Sequence, residues 1–231
     1  MEKGVVQGLP EIRVALVGVG NSASALVQGV EYYRDAKEDQ FVPGLMHVNF
    51  GGYHIRDVKL VAAFEVNKAK IGKDLSEAIF TAPNCCAKFA DVPQLGVKVS
   101  PAPILDGVAE HMKGPFNVYK DDELKPVDVV TVLKESKAEI LVNYLPVGSK
   151  NATRFYAQAA LDAGCAFINC MPEFIGSDTQ WGKKFEEKGL PVAGDDIKSQ
   201  LGATILHRNI ARLCEDRGVI IDETYQLKLG G

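Results

Sequence analysis

The junction at Gly18 constrains this chain most: the strand-like run Ile12–Val17 passes directly into Gly18-Val19-Gly20-Asn21-Ser22-Ala23. The apolar residues Ala25, Leu26, Val27 and Val30 follow, so the segment reads as strand, tight turn and helix. In a G-x-G-x-x-A turn the first glycine permits the sharp change of direction. The second leaves no Cβ between the backbone and a diphosphate, and the small third residue lets helix and strand pack closely. The first N–H groups of the helix and the positive end of its dipole then attract phosphate. Gly18, Gly20, Asn21, Ser22 and Ala23 are therefore candidate dinucleotide-binding residues, the alternative being a turn with a purely structural role.

The bulk properties narrow the ligand class. Net charge is −4 over 231 residues, with Lys and Arg dispersed, so no basic face for nucleic acid or for an acidic membrane is expected. No apolar run approaches the ~20 residues needed to span a bilayer, and no apolar leader precedes the first strand. The five cysteines, Cys85, Cys86, Cys165, Cys170 and Cys214, form no C-x-x-C pair, which argues against a zinc knuckle or a disulfide framework. The expectation is a cytoplasmic protein with a small-molecule ligand and no nucleic-acid or membrane partner.

Along the chain, a helix is expected over about Ser22 to Arg34, followed by a Gly- and aromatic-rich segment, Asp35 to Asp57. Its length suggests either a functional flap or a surface insertion. A strand over Val58–Phe64 ends at Glu65, where an acid can accept hydrogen bonds from ribose hydroxyls and repel a 2′-phosphate. Glu65 thus favours NAD over NADP. It stands 47 positions after Gly18 rather than the usual ~20, so the match rests on strand order; Lys68 and Lys70 keep NADP open, and a plain strand-end carboxylate is the alternative. Thr81 to Lys125, with three prolines and the acidic turn Asp121-Asp122-Glu123, gives no regular pattern.

Alternation then resumes. Helices are expected over about Val127–Lys137, Ser149–Ala163 and Asp178–Glu187, with Gly164 and Gly189 closing the last two. Strands are expected over Glu139–Leu145, Ala166–Cys170 and Leu190–Ala193. Such alternation predicts an α/β fold with a Rossmann-like, doubly wound, mostly parallel sheet, whose ligands lie beyond the carboxyl ends of the strands. That rule singles out Asn143, Tyr144, Pro146, Gly148, Ser149, Asn169, Pro172, Asp195 and Asp196. For Asn143 and Asn169 the alternative is a pair of amides tying strand ends together, and for Ser149 an N-cap. Asp195-Asp196-Ile197-Lys198-Ser199 opens an apolar-periodic helix (Ile197, Leu201, Ile205, Ile210, Leu213); one aspartate is expected to cap it, leaving the other free with Lys198 for a metal, a phosphate or a polyol.

Six blocks in order resemble the N-terminal part of the myo-inositol-1-phosphate synthase family of the prokaryotic type. They are GVGNSASALVQG from Gly18, PGLMHVNFGGYHIRDV from Pro43, VAAFEVN from Val61, NYLPVGS from Asn143, INCMP from Ile168 and GDDIKSQLGAT from Gly194. The resemblance implies a redox-neutral conversion of D-glucose 6-phosphate to inositol phosphate by NAD-dependent oxidation at C5, enolisation, aldol cyclisation and reduction. It implies pyrophosphate binding by Gly18, Gly20, Asn21 and Ser22 and ribose binding by Glu65. Asn143, Tyr144 and Pro146 would line the nicotinamide side, and Asp195 or Asp196 with Lys198 would stand between nicotinamide and sugar as catalytic residues. Ser149 remains a further cofactor candidate. The family more often has Asp at position 65 and a second acid at 67, where this chain has Glu65 and Asn67. Residues 1–196 would form the NAD domain and 197–231 the beginning of a substrate and oligomerisation domain. The remainder of that domain, with most of the catalytic lysines, would lie beyond Gly231. The 231 residues alone are thus expected to bind NAD weakly or not at all and not to turn over, and the full-length form to be a homotetramer. Whether a divalent metal or a monovalent cation assists is left open by the sequence.

Overall fold

The computed structural model describes residues 11–108, 116–120, 123–198 and 202–225. Ser199, Leu201 and the Asp121-Asp122 part of the acidic turn lie outside them. The chain divides into two compact units, Met1–Asp195 and Asp196–Gly231.

The first unit is an α/β layer structure. Its strands are β1 (Ile12–Val17), β4 (Val58–Glu65), β5 (Val99–Pro101), β6 (Ile140–Asn143), β7 (Ala166–Asn169) and β8 (Val192–Ala193). They form one sheet in the order β5-β4-β1-β6-β7-β8, every pairing parallel. Numbered by their place in the sheet's own chain order, this is 3-2-1-4-5-6, the doubly wound arrangement whose direction reverses between β1 and β6. Helices α1 (Asn21–Tyr32), α2 (Leu75–Ala78), α3 (Val129–Glu135), α4 (Lys150–Ala163) and α5 (Thr179–Lys188) connect the strands. The tiny hairpin β2 (Asn49–Phe50) with β3 (Tyr53–His54) stands apart from the sheet.

Apolar residues on both faces of the sheet produce two cores. Val14 and Leu16 of β1 pack in a cluster with Val27 of α1 and Leu75 of α2, while Ala15 and Val17 join Leu133, Ala157 and Phe185 of α3, α4 and α5. A register shift between Val14 and Ala15 leaves Val61 as an extra residue on β4. It explains why Leu60 and Ala63, three apart, face one core while Ala62 and Phe64 face the other.

The expected helices and strands from Ser22 to Ala193 are present with ends shifted by a few residues, and Gly164 and Gly189 take the left-handed conformation that closes α4 and α5. Segment 35–57 is pinned at the amino end of the sheet. It leaves from the far end of α1, His54 Nε2 bonds Ala36 O at 2.9 Å, Tyr33 donates to Pro43 O at 2.9 Å, and Val58 re-enters beside Ile12, the first residue of β1. Helix α1, ~18 Å long for its length in residues, separates these anchors from the Gly18 turn.

The second unit holds a π-helical segment, Gly202–His207, running into α6 (Arg208–Asp216). The expected helix from Ile197 therefore starts later: Ile197 and Lys198 are in no helix, and neither aspartate is a helix cap. Among the described residues Asp196 accepts from the neighbouring Ile197 N, and Asp195 spends its carboxylate elsewhere. Within this unit Leu206, Ile210, Cys214 and Ile221 line an apolar groove of about 400 Å³. Among the described residues no helix is long and apolar enough to cross a membrane.

Candidate functional site

The reversal of strand order places the carboxyl ends of β1 and β6 side by side, and the Gly-rich turn forms there. Gly18 has φ +82, donates to Phe64 O at 3.0 Å, and has so little room that a Cβ would stand 2.9 Å from Tyr144 O. Gly20 is the opposite case: a Cβ built on it meets nothing within 4 Å. The first glycine is demanded by the fold, whereas no protein atom excludes a side chain at the second.

Helix α1 begins at Gly20 without a side-chain cap and with no acid in its first turn. The other helices that flank the sheet all carry a carboxylate on their first N–H groups: Asp74 on α2, Asp128 on α3, Asp178 on α5 and Asp106 on α4. The leading amides of α1 are thus left for an anion, and the open cradle at Gly20 fits a dinucleotide diphosphate. The side chain of Asn21 is engaged, accepting from Cys85 N at 2.8 Å, so Asn21 offers its backbone. Ser22 is exposed and Ala23 is buried against the core of β1.

Glu65 sits at the tip of β4, next to the turn. Its Oε2 accepts from Val19 N at 2.8 Å, and its Oε1 accepts from Val66 N at 2.7 Å and Asn67 N at 3.1 Å. One acceptor position remains, on Oε2. Lys68 pairs with Glu123 at 2.9 Å, and Lys70 is buried with its Nζ 2.5 Å from Val19 O. Burial pushes the Lys70 pKa down and the Glu65 carboxylate pulls it back up, with burial the stronger. Asn67, also buried, uses Oδ1 on Ala69 N and has the one buried side-chain polar atom without a partner among the described residues, its Nδ2.

At the ends of β6 and β7 the two asparagines meet. Asn143 Nδ2 donates to Asn169 Oδ1 at 2.9 Å and to Thr153 Oγ1 at 3.1 Å, and its Oδ1 accepts from Leu145 N. Fully buried, Asn143 orders the Tyr144–Pro146 turn rather than reaching past it. Tyr144 is half-buried and Pro146 exposed. Burial, then contact with Cys170, holds the Tyr144 phenol well above its ordinary pKa, so it stays a neutral donor. Ser149 occupies the N-cap position of α4 but donates to Pro146 O at 2.6 Å instead of capping. Asp106, which sequence reasoning missed, does the capping from 45 residues away, accepting from Asn151 N at 2.6 Å and Ala152 N at 2.9 Å.

Asp195 closes the row of strand ends. Its carboxylate accepts from Asn169 Nδ2 at 2.8 Å and from the backbone N–H groups of Ile175, Gly176 and Ser177 at 2.9–3.0 Å. Burial alone would push its pKa up, and these bonds outweigh it, leaving the carboxyl below the usual range. Asp195 is therefore a fixed anion. Asp196, at φ +70, and Lys198 are exposed. Among the described residues no group of three or more His, Cys, Asp or Glu side chains is placed to hold a metal.

No family model matches the chain. It is 59% identical over 221 residues to the inositol-3-phosphate synthase of Mycolicibacterium smegmatis, covering 96% of this chain and 60% of that protein. Against the inositol-3-phosphate synthase of Corynebacterium glutamicum the identity is 56% over 220 residues, covering 95% and 60%. The fold is shared with the crystal structure of Ari2, at TM-score 0.76 and 34% identity over 90% of this chain and 61% of that one. It is also shared with a myo-inositol-1-phosphate synthase-related protein of Thermotoga maritima, at TM-score 0.65 and 24% identity. The chain spans about 60% of the length of the curated relatives it matches.

Proposed function

We propose that this chain, a homologue of the N-terminal part of inositol-3-phosphate synthases, supplies the NAD-binding portion of an enzyme that converts D-glucose 6-phosphate to inositol phosphate. The observation that carries the reading is the uncapped start of α1 facing the open cradle at Gly20, set at the switch point of a 3-2-1-4-5-6 sheet. Bound there, NAD would take a hydride from C5 of the open-chain sugar phosphate and return it after ring closure, so no net reduction accumulates.

The chain's own residues have distinct tasks in this reading. The backbone of Gly20, Asn21, Ser22 and Ala23 receives the diphosphate. Glu65 gives its remaining acceptor position to a ribose hydroxyl; with Lys68 paired to Glu123 and Lys70 buried, neither cation is presented to a 2′-phosphate, which favours NAD over NADP. Tyr144 and Pro146 flank the nicotinamide side, while Asn143 and Ser149 act behind them by holding the backbone. Asp195 orders the loop 175–177, and Asp196 and Lys198 are the groups assigned to the sugar, the ammonium to stabilise an oxyanion and the carboxylate to move a proton. We assign residues 1–196 to the NAD domain and 197–231 to the beginning of the catalytic domain, in a cytoplasmic enzyme whose full-length form is a homotetramer.

The test is to titrate NAD by calorimetry into a full-length form and then to incubate that form with NAD and glucose 6-phosphate, following phosphorus NMR and absorbance at 340 nm. NAD binding, with inositol phosphate formed and no net NADH, is the expected result, while the 231 residues alone bind NAD weakly or not at all and do not turn over. Net NADH without cyclised product would make the protein a simple dehydrogenase, and NAD binding with neither signal would make it a non-catalytic NAD-binding module.

A further inference from the structure

We propose that Lys70 is a positioning residue for the dinucleotide, fixing the Gly18–Gly20 turn from behind with a buried ammonium; this rests on the NAD reading above. Lysine is almost never fully buried unless it has a partner, and Lys70 is 1% exposed. Its Nζ is 2.5 Å from Val19 O and 3.4 Å from Pro83 O.

Val19 is the middle residue of the turn. Its N–H donates to Glu65 Oε2 at 2.8 Å and its carbonyl accepts from Lys70, so both polar backbone groups are held, one by a carboxylate at the tip of β4 and one by an ammonium on the segment that follows. Two successive peptide planes are thereby fixed, and with them the direction in which the next amides, those of Asn21 and Ser22, point. The same ammonium places a positive charge behind the turn, where water screens it little. Its field adds to that of the α1 amides that face a diphosphate.

A methionine fills nearly the same space but leaves Val19 O without its donor, so the substitution costs stability whatever the role of Lys70. What separates a positioning role from a purely structural one is NAD affinity in variants that remain folded: a lysine that orients the turn changes it, because its loss frees Val19 O and removes the charge behind the cradle.

The experiment compares the full-length wild-type protein with its K70M, K70Q and K70R variants, measuring the melting temperature without ligand and NAD affinity by calorimetry. The expected result is that K70M melts below wild type yet stays folded at the assay temperature, while its Kd for NAD rises about tenfold or more, the scale of a lost charged hydrogen bond. K70Q, which keeps an N–H donor without the charge, falls between, and K70R recovers affinity. Should K70M melt below the assay temperature, K70Q is judged by the same two measurements. A folded variant without the ammonium that binds NAD within about twofold of wild type overturns the inference and leaves the NAD reading standing. Absence of NAD binding by the full-length wild-type protein overturns both.

Discussion

Asn143 Nδ2 donates to Asn169 Oδ1 at 2.9 Å, an amide-to-amide bond inside the protein that joins the carboxyl ends of β6 and β7. Asn169 passes the connection on, its own Nδ2 donating to Asp195 Oδ1 after β8 at 2.8 Å. Three consecutive strand ends are thus laced by side chains just where the sheet stops hydrogen-bonding itself. Replacing Asn143 by Ala strips partners from Asn169, Thr153 and Leu145 at once. The expected loss is about 1–3 kcal/mol, the cost of leaving buried polar groups unpaired, read from urea denaturation.

The two glycines of the turn should separate fold from function. G18A forces a side chain into φ +82 against Tyr144 O, which costs ~1–2 kcal/mol from backbone conformation alone and lowers the melting temperature. G20A meets no protein atom, so it should melt close to wild type yet lose NAD affinity, because its methyl group enters the cradle. Calorimetry and thermal denaturation on the two variants of a full-length form give a crossed pattern if Gly20 faces the ligand; two equally destabilised variants would deny it that place.

The parts of this fold that are legible in sequence are those specified locally. The strand-turn-helix at Gly18, the closing glycines of α4 and α5 and the apolar periodicity of α4 depend on residues within a few positions of one another. What sequence does not display is set across long separations. Strand β5 is three residues ending in Pro101, a strand only because Ala63–Glu65 of β4 pair with it at the sheet's edge. Gln28 looks like a polar helix residue but is fully buried, its Oε1 accepting from Phe89 N and Ala90 N of a distant loop. Lys70 and Asp106 show the same limit at the candidate site: each matters through a backbone group 45 or more residues away. The blocks that carry the resemblance contain Asn143 and Asp195, but do not display that Asn143 is buried or that Asp195 is already saturated with donors.

Removing Asp106 uncaps α4. The D106A variant should lose about 0.5–2 kcal/mol, the usual range for a helix cap, whereas S149A should lose less because Ser149 Oγ bonds Pro146 O and not the helix amides. The adjacent Gly107, at φ +93, has its missing Cβ directed into Ser149 Oγ, so G107A should displace the Asp106 loop and reproduce the D106A defect. Denaturation midpoints of the three variants check the order.

Asp195 should appear in the acid limb of stability. Its folded pKa lies below the ordinary carboxylate value, so it contributes stability that is present above the unfolded pKa of ~3.9 and lost as pH falls through the lower folded value. The wild-type chain should therefore lose stability steeply below about pH 4. D195N, with no charge to protect and with its amide facing the N–H groups of residues 175–177, should be less stable near neutral pH and show a shallower acid limb. Equal acid limbs for the two proteins would mean that the loop is held by something other than this carboxylate.

His54 ties down segment 35–57, taking Arg56 N on Nδ1 at 3.0 Å while Nε2 bonds Ala36 O at 2.9 Å. Its backbone N–H donates to Asp57 Oδ2 at 2.7 Å, closing the turn that leads into β4. All of these anchors lie at the amino end of the sheet, with the length of α1 between them and the Gly18 turn. The flap reading of this segment therefore implies action at that end, where Phe41, Met46 and Phe50 are exposed, and not closure over a dinucleotide at the opposite end. In a full-length form, H54A should accordingly make the segment more open to limited proteolysis while leaving the Kd for NAD within about twofold of wild type. A large loss of NAD affinity in a variant that still melts like wild type would instead mean that the segment reaches the cofactor.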